Sequence, residues 1–452
     1  MQLAKNTEIE LKLVIDKENL KSLLKLDCVA QAVREGSCQK RKLVSSYYDT
    51  EDLAFKRNGI AYRVRSKGDG SYEATVKTSV TNAAGLSERM ELNLPLQSAR
   101  PKLEGFAELG LGYELSELAP NGISKLFTVN VQRTTYILDL EGAVAELAID
   151  HGKITAAKDS TDPIDEVEIE LLEGDKAALL DLAASIATEI PVFVEKRSKF
   201  VRGLALRGIT ADEAILKDKL GNGLVKNEVL AAVAAHGEQL LALQQELQQN
   251  ISEKLLKNLK RELLIMRSLA AMAEAGACER LEHMLELVEN VRALLALQVL
   301  WQRIMTKANL ERSSLQKKLA ANTKEYLTQL QKAAAGGQFT AVVFALTSLV
   351  YKAKLEEEAV DARVKATVKA WQQELAEGKL TAGENICALA RCCNVKAVLK
   401  ASEAVKKQRR QLNKQAVLAA WQEQLQGICD ASTSKLVYRE AGMLVGYLLA
   451  KN

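Results

Sequence analysis

Three ionisable side chains stand on alternate positions of Glu8-Ile9-Glu10-Leu11-Lys12, close to the start of a 452-residue chain. In an extended strand alternate residues share a face, so two carboxylates and an ammonium point one way while Ile9 and Leu11 point the other. Turned toward an ordinary core, such charges would cost more than the packing returns. They make sense if the face lines a wet cavity holding metal ions and an anion. The alternation recurs in Glu166-Val167-Glu168-Ile169-Glu170-Leu171. Between these runs Arg63 and Arg65 flank Val64, Glu73, Thr75 and Lys77 share a face, Arg89 precedes Glu91, and Glu146, Ala148 and Asp150 alternate. Arg133 lies mid-strand, and Lys199 and Arg202 fall in Ser198-Lys199-Phe200-Val201-Arg202. A sheet with one solvated face also alternates, and any single strand fits that reading. The set does not fit it, because arginine and lysine gather in the middle strands and carboxylates in the first and late ones. Guanidinium forks match phosphate oxygens. Clustered carboxylates suit Mg²⁺ or Mn²⁺, hard ions that prefer oxygen. A bound divalent ion screens phosphate charge and polarises an attacking water. A sheet closed into a barrel would give this chemistry solid walls and two open ends.

The elements that must position these residues are legible from pattern. All five prolines lie before residue 192, as do the period-2 segments. Strands are expected over 7–15, 43–49, 59–66, 71–80, 88–96, 127–139, 143–150, 153–156, 164–172 and 195–203, with a hairpin turn at Lys67-Gly68-Asp69-Gly70. Helices are expected over 17–26, 103–111 and 174–188. After about residue 222 proline disappears and apolar residues recur at spacings of three and four, as in Leu281, Leu285, Val288, Val291 and Leu295. That half reads as a bundle of long amphipathic helices, broken at Ala275-Gly276, Gly336-Gly337, Gly378 to Gly383 and Ala431 to Ser434. Residues 205–222 read as the linker. Residues 1–220 sum to a net charge of roughly −5 and residues 221–452 to roughly +9. The seven cysteines show no metal-ligand spacing and read as reduced thiols. No apolar run approaches membrane-spanning length and no secretory signal is visible, so no membrane partner and a cytoplasmic location are expected.

Taken in order, Glu8-x-Glu10-x-Lys12, Tyr47-Tyr48-Asp49-Thr50, Arg63-x-Arg65, Lys77, Arg89-x-Glu91, Arg133, Glu166-x-Glu168-x-Glu170 and Ser198-Lys199 resemble the CYTH superfamily, the triphosphate tunnel metalloenzymes. The resemblance covers about residues 1–204. It implies an α+β fold: an eight-stranded antiparallel tunnel barrel, open at both ends, with helices outside, here followed by an all-α bundle over 223–452. It implies that Lys12, Arg63, Arg65, Lys77, Arg89, Arg133 and Lys199 hold triphosphate oxygens. Glu8, Glu10, Glu168, Glu170 and Asp150 would face the metals, Mg²⁺ or Mn²⁺. Glu91 would orient a basic neighbour or water, with Lys12, Arg63, Arg65, Lys77 and Arg89 acting beside it in catalysis. Glu166 and Glu146 exceed what one ion requires, and Arg202 reads as a wall residue.

The size and position of 223–452 resemble CHAD, a helical partner linked to polyphosphate. Its histidine pattern is degenerate, since only His236 and His283 occur there. His283, between Leu281 and Met284, reads as a satisfied interface histidine. Trp301, Trp371 and Trp421 read as bundle core. Lys396, Lys400, Lys407, Arg410 and Lys414 form a basic stripe at helical spacing, with a shorter one at Lys254, Lys257 and Arg261. Such a stripe recruits polyphosphate or is simply a solvated face; nucleic acid is the weaker expectation. The activity expected is metal-dependent hydrolysis of inorganic triphosphate to diphosphate and phosphate. The rivals are hydrolysis of thiamine or nucleoside triphosphate, a class IV adenylate cyclase, and a polyphosphate-binding scaffold with no chemistry.

Overall fold

Period-2 alternation with charges on one side and Val, Ile, Leu and Tyr on the other dictates strands that bury both faces. In the computed structural model it produces ten strands: β1 (Thr7–Val14), β2 (Gln39–Asp49), β3 (Ala61–Ser66), β4 (Tyr72–Lys77), β5 (Thr81–Ala83), β6 (Leu86–Leu96), β7 (Ser124–Leu140), β8 (Ala143–Thr155), β9 (Thr161–Gly174) and β10 (Phe193–Val194). The structure describes residues 6–78, 81–83, 85–156, 160–195, 197–210, 218–354 and 358–451, without the side chains of 81–83, 408–420 and 450–451. Two units emerge, Met1–Leu216 and Lys217–Asn452.

In the first unit the hydrogen-bonded order is β10-β1-β9-β8-β7-β2-β3-β4-β6-β5, and β1 also pairs with β6. That second pairing, Glu8 opposite Arg89 and Glu10 opposite Ser87, closes eight strands into an antiparallel barrel. Closure leaves no free edge among those eight. The separate expectations over 143–150 and 153–156 merge into the single strand β8. The outward faces are apolar and covered. Tyr62, Val64, Ala74, Val76 and Leu92 pack with Phe55, Phe106 and Leu115 from the helices α3 (Ala54–Arg57) and α4 (Leu115–Leu118) and the turn before α4. Two further helices are α1 (Lys17–Leu23), within the helix expected over 17–26, and the short α2 (Asp27–Ala30), which follows it. The expected helix over 103–111 is reduced to a π-helical turn at Ala107–Leu111, because Gly110 takes φ 118°. The helix α5 (Ala177–Glu189) is almost entirely buried along its inner side.

The stretch 195–203 is not a strand. Only β10 is extended, and residues Lys199–Leu206 form the helix α6. Ser198 causes this: its side chain accepts the backbone N–H of Val201 and caps the first turn. Lys199, Arg202 and Gly203 then fall on one buried face at helical spacing. This helix is not an outer one. Leu204 and Phe200 pack against the inward residues Tyr47, Phe127, Ile154 and Ile164, so α6 fills one end of the barrel. At that end the expected opening is filled by α6.

The second unit is helical throughout its described residues, built from α7 (Val225–Gln249), α8 (Glu253–Met272), α9 (Glu279–Lys307), α10 (Ser314–Ala335), α11 (Gln338–Lys352), α12 (Val360–Ala376), α13 (Leu380–Cys392), α14 (Lys396–Asp430) and α15 (Lys435–Lys451). Gly276 and Gly337 both take φ 82° at breaks anticipated from sequence. Trp301 is fully buried and donates its indole N–H to Ser313 Oγ at 2.8 Å; Trp371 is buried, and Trp421 packs on the same core as Trp301. His236 is a core residue, 2.7 Å from Glu262 Oε2 and 3.0 Å from the Asp218 carbonyl. His283, expected as an interface histidine, is exposed. Among the described residues no single helix is long and apolar enough to cross a membrane.

Candidate active site

The barrel interior is built strand by strand from the alternate residues that outward apolar packing forces inward. From β1 come Glu8, Glu10 and Lys12, all buried. From β3 and β4 come Arg63, Arg65, Thr75 and Lys77; from β6, Arg89, Glu91 and Asn93; from β7 to β9, Arg133, Asp150, Glu166, Glu168 and Glu170. Every expected site residue except Lys199 enters from a strand, and Lys199 reaches in from the first turn of α6.

These charges sort into two ion-pair groups. In one, Lys77 Nζ lies 2.7 Å from Glu8 Oε1 and 2.6 Å from Glu91 Oε2. Arg89 Nε meets Glu8 Oε2 at 2.6 Å, and the same guanidinium pairs with Glu10. The neighbouring cations Lys77 and Arg63 outweigh burial and hold Glu91 well below the usual carboxylate range. Arg63 approaches Glu91 at 3.7 Å. In the other group Lys199 Nζ sits 2.9 Å from both Asp150 and Glu166 and 2.7 Å from Glu168. Arg133 grips Asp150 through two 2.7 Å hydrogen bonds. Burial works against the Lys199 charge, but Glu168, Asp150 and Glu166 more than reverse it and raise its pKa. Lys12 lies 3.3 Å from Glu168 and 3.7 Å from Glu10, which places it between the groups.

Arg65 and Glu170 stand outside this mutual neutralisation, and Arg63 stands only partly within it. Arg65 donates to Ser45 Oγ at 2.9 Å and makes no ion pair among the described residues. Burial, with Arg63 and Arg133 close by, pulls its pKa down to about 10. Arg63 Nε is buried without a hydrogen-bond partner. These two guanidiniums are a cationic site with spare donors, which is what an anion needs. Glu170 is the opposite case. Burial, then Glu8, Glu91 and Glu10, push its pKa up to about 8 against the pull of Lys77. It is directly opposite Glu10 in the β1–β9 ladder.

Oxygen-only donors and unrelieved acid–acid repulsion at Glu170 fit a hard divalent cation at Glu8, Glu10 and Glu170. The fit is chemical and not yet geometric: among the described residues no three acids converge as a formed cage. Lys77 and Arg89 occupy Glu8 and Glu10 instead. Asp150 and Glu168, expected to face metal, are likewise engaged by Lys199 and Arg133.

Sequence reasoning gave no role to Ser45 or Asn93. Asn93 accepts from Thr75 at 2.8 Å and donates to Glu91 at 3.0 Å. Its position two residues after Glu91 on an inward face was the available signal. Asp49, part of the sequence motif, is structural: it accepts from the backbone of Thr50, Phe55 and Lys56 and anchors α3. Arg202 closes the floor side through Asp162 at 2.8 Å and through Glu166.

The site is thus a closed antiparallel barrel lined by opposed carboxylates, lysines and arginines. Residues 6–204 match the CYTH domain. An inorganic triphosphatase of Haemophilus influenzae is 29% identical over 164 residues, 36% of this chain and 46% of that protein. The chain thus spans about half the length of this curated relative. Among solved structures, a putative adenylyl cyclase from Hippeastrum with a dominant triphosphatase activity is 17% identical at a TM-score of 0.32, covering 45% of this chain and 96% of that one. A putative adenylate cyclase from Bacillus halodurans is 19% identical at a TM-score of 0.30, covering 44% of this chain and 98% of its own.

Proposed function

We propose that the barrel hydrolyses inorganic triphosphate to diphosphate and phosphate with the help of Mg²⁺ or Mn²⁺. The observation that carries this reading is Arg65, without an ion pair among the described residues, beside Arg63 with its unpaired Nε, in one buried interior with Glu170, whose charge neighbouring acids oppose. A scaffold for anions alone would gain nothing from buried acids. Triphosphatase chemistry at the level of the family is supported by the CYTH match and the Haemophilus influenzae relative.

The chain's own residues would act by exchange of partners. Arg63 and Arg65 receive phosphate oxygens first, because Arg65 has no ion pair among the described residues and Arg63 keeps an unpaired Nε. Substrate oxygens then draw Lys77 and Arg89 away from Glu8 and Glu10, which releases those carboxylates beside Glu170 to hold a divalent ion. When bound, that ion would neutralise phosphate oxygens and lower the pKa of a coordinated water. Lys12, Arg133 and Lys199 fix the remaining phosphates in line. Water attacks the terminal phosphorus, the bond to the bridging oxygen breaks, and diphosphate leaves.

The lining favours an inorganic substrate. Tyr48 and Tyr62 belong to the outer packing, and the Tyr62 hydroxyl is spent on Lys102. Tyr72 lies on the outward face of β4, leaving Tyr47 as the tyrosine turned inward. The test is phosphate release from triphosphate, ATP, thiamine triphosphate and long polyphosphate, with and without each metal. Cyclic AMP formation, or metal-independent binding without turnover, would overturn the proposal.

We further place the helical unit as a CHAD-like partner that offers polyphosphate the stripe on α14. Lys396, Lys400 and Lys407 are exposed there, while the side chains of Arg410 and Lys414 lie outside the described residues. The shorter stripe on α8 is partly neutralised, Lys257 by Glu253 at 2.7 Å and Arg261 by Glu262 at 2.8 Å.

A further inference from the structure

His236 lies in the middle of α7 and is 4% exposed; Glu262 of α8, 1% exposed, faces it. The imidazole Nδ1 stands 2.7 Å from Glu262 Oε2, and its Nε2 stands 3.0 Å from the backbone carbonyl of Asp218. A carbonyl oxygen and an ionised carboxylate can only accept, so both ring nitrogens must carry hydrogen. Arg261 donates to the other Glu262 oxygen at 2.8 Å. Burial works against the Glu262 charge, but the hydrogen bonds from His236 and Arg261 outweigh it and hold its pKa below the usual carboxylate range. Handing the shared proton to Glu262 leaves the count unchanged. Both bonds persist only while the pair holds one proton more than a neutral imidazole beside a carboxylate.

What the imidazole holds is the segment ahead of α7. Residues 205–222 read as a linker in sequence, yet 218–221 lie fastened to helices of their own unit. The Leu220 amide donates to the Cys392 carbonyl and the Gly221 amide to Glu228 Oε2, each at 2.7 Å. Gly221 and Gly223 pass close to the Glu228 carboxylate, and a Cβ on them would come within 2.9 Å and 2.6 Å of it. The charged and titratable groups around the pair are Arg261 on α8, Asp218 itself, and the thiols of Cys392 and Cys393 at the end of α13, with Asp361 of α12 beside Cys393. From α11 this stretch of α7 meets Val343, which packs on Gly237. Burial pushes the Cys392 thiol up to about 12 and raises that of Cys393, so neither ionises near neutrality. The Leu220 bond joins two backbone groups and has no proton to lose. Histidine is the side chain that ordinarily changes charge near neutral pH.

We infer that His236 and Glu262 form a proton-operated clasp that holds residues 218–221 on the helical unit and releases them as pH rises. With one proton fewer, one ring nitrogen is bare. The buried Glu262 carboxylate keeps the remaining N–H, since a hydrogen bond to an ionised acceptor is the stronger one. The bare Nε2 then faces the Asp218 carbonyl, lone pair to lone pair, and the segment loses its hold at Asp218. Closure takes up the proton that both bonds need, so it is favoured at low pH and weakens as protons become scarce. The clasp governs the segment between the region matched to the CYTH domain and α7, and it does not depend on the reaction proposed for the barrel.

The test is hydrogen exchange on the full-length protein from about pH 5.5 to about pH 8.5, followed at the amides of Leu220 and Gly221 and corrected for the intrinsic effect of pH. Wild-type protection there should fall about tenfold or more as pH rises, the worth of one hydrogen bond from a charged group, while the amides of Leu263 and Met266 in the α8 core keep theirs. Glu262→Gln is the discriminating variant. The glutamine oxygen can still accept from Arg261 and its amide can donate to Nδ1, so a neutral imidazole keeps an Nε2–H for Asp218. That variant should hold high protection across the whole range. Nitrogen spectra of the wild-type imidazoles, with the His236 signals identified by their loss in His236→Gln, should show Nε2 protonated at about pH 5.5 and bare at about pH 8.5. A wild-type profile without the fall, a Glu262→Gln profile that falls with it, or a bare His236 Nε2 at the acid end would each overturn the inference. If Glu262→Gln does not fold, the wild-type profile and spectra still decide it.

Discussion

Replacing Glu170 with Gln should make the metal-free protein more stable and the metal-loaded protein less so. The folded chain holds the Glu170 proton up to about pH 8, while an unfolded chain releases it near 4.5. Between those values the unfolded state binds fewer protons than the native state, so stability falls as pH rises through the window and levels off above it. Glutamine never ionises and escapes that loss. Each unit of pKa difference is worth 1.36 kcal/mol, so the full window corresponds to about 5 kcal/mol before relaxation. Side-chain movement and water penetration reduce this, and about 1–3 kcal/mol at pH 8 is expected. For a unit of roughly 200 residues that is a rise of about 3–9 °C in melting temperature over wild type, and almost none at pH 4.5. Adding Mg²⁺ or Mn²⁺ should stabilise wild type by linkage and the Glu170→Gln variant much less, reversing the order. Thermal melts of both proteins at pH 4.5, 6.5 and 8, with chelator and with metal, read all of this. Identical melts at pH 8 in chelator would show that Glu170 is not under acid–acid strain. Equal metal stabilisation of both proteins would remove it from the metal site.

Other substitutions test the remaining parts. Glu8→Gln and Glu10→Gln should each lower triphosphate turnover at least about a hundredfold while the protein still folds, and wild-type rates in both would cancel their assignment. Arg65→Ala should raise KM about tenfold or more with little loss of stability, because Arg65 has no ion partner to strand; Arg65→Lys should restore only part, since the fork is lost. Truncation after Thr210 keeps α6 and should keep turnover, whereas truncation at residue 198 removes Lys199 and the floor and should abolish it; equal activity in both would mean α6 is dispensable. Charge reversal at Lys396, Lys400 and Lys407 should leave triphosphate turnover unchanged, and a salt-sensitive loss of polyphosphate retention in that variant would turn the stripe from a solvated face into a binding one.

What the sequence revealed depended on which physical constraint was local. Strand alternation is local, so the inward set from Glu8 to Glu170 is legible in the order of residues alone, as are the helical period after residue 222 and the breaks at Gly276 and Gly337. The segment 195–203 shows where that logic fails. Ser198-Lys199-Phe200-Val201-Arg202 satisfies a period of two, yet Lys199, Arg202 and Gly203 satisfy a helical face equally well. The deciding interaction is Ser198 capping Val201, together with the room beside Phe127 that a glycine at 203 provides. The second of these exists only once β7 is in place. The same reason hid Tyr47. In sequence it is one of two adjacent tyrosines, and only the Arg63 ladder partner and the stack on Phe200 set it apart from Tyr48, which faces outward. The ion pairing was hidden for a different reason. Alternation tells which face a charge takes but not which opposite charge it meets across the barrel. Glu8 with Lys77 joins residues 69 positions apart, and Arg133 with Glu168 joins residues 35 apart. The sequence therefore suggested acids waiting for metal, and the folded interior instead holds acids already paired with cations, which on the proposed reading phosphate would draw off. Binding of anion and of metal should then be mutually dependent, each lowering the cost of the partner exchange the other requires.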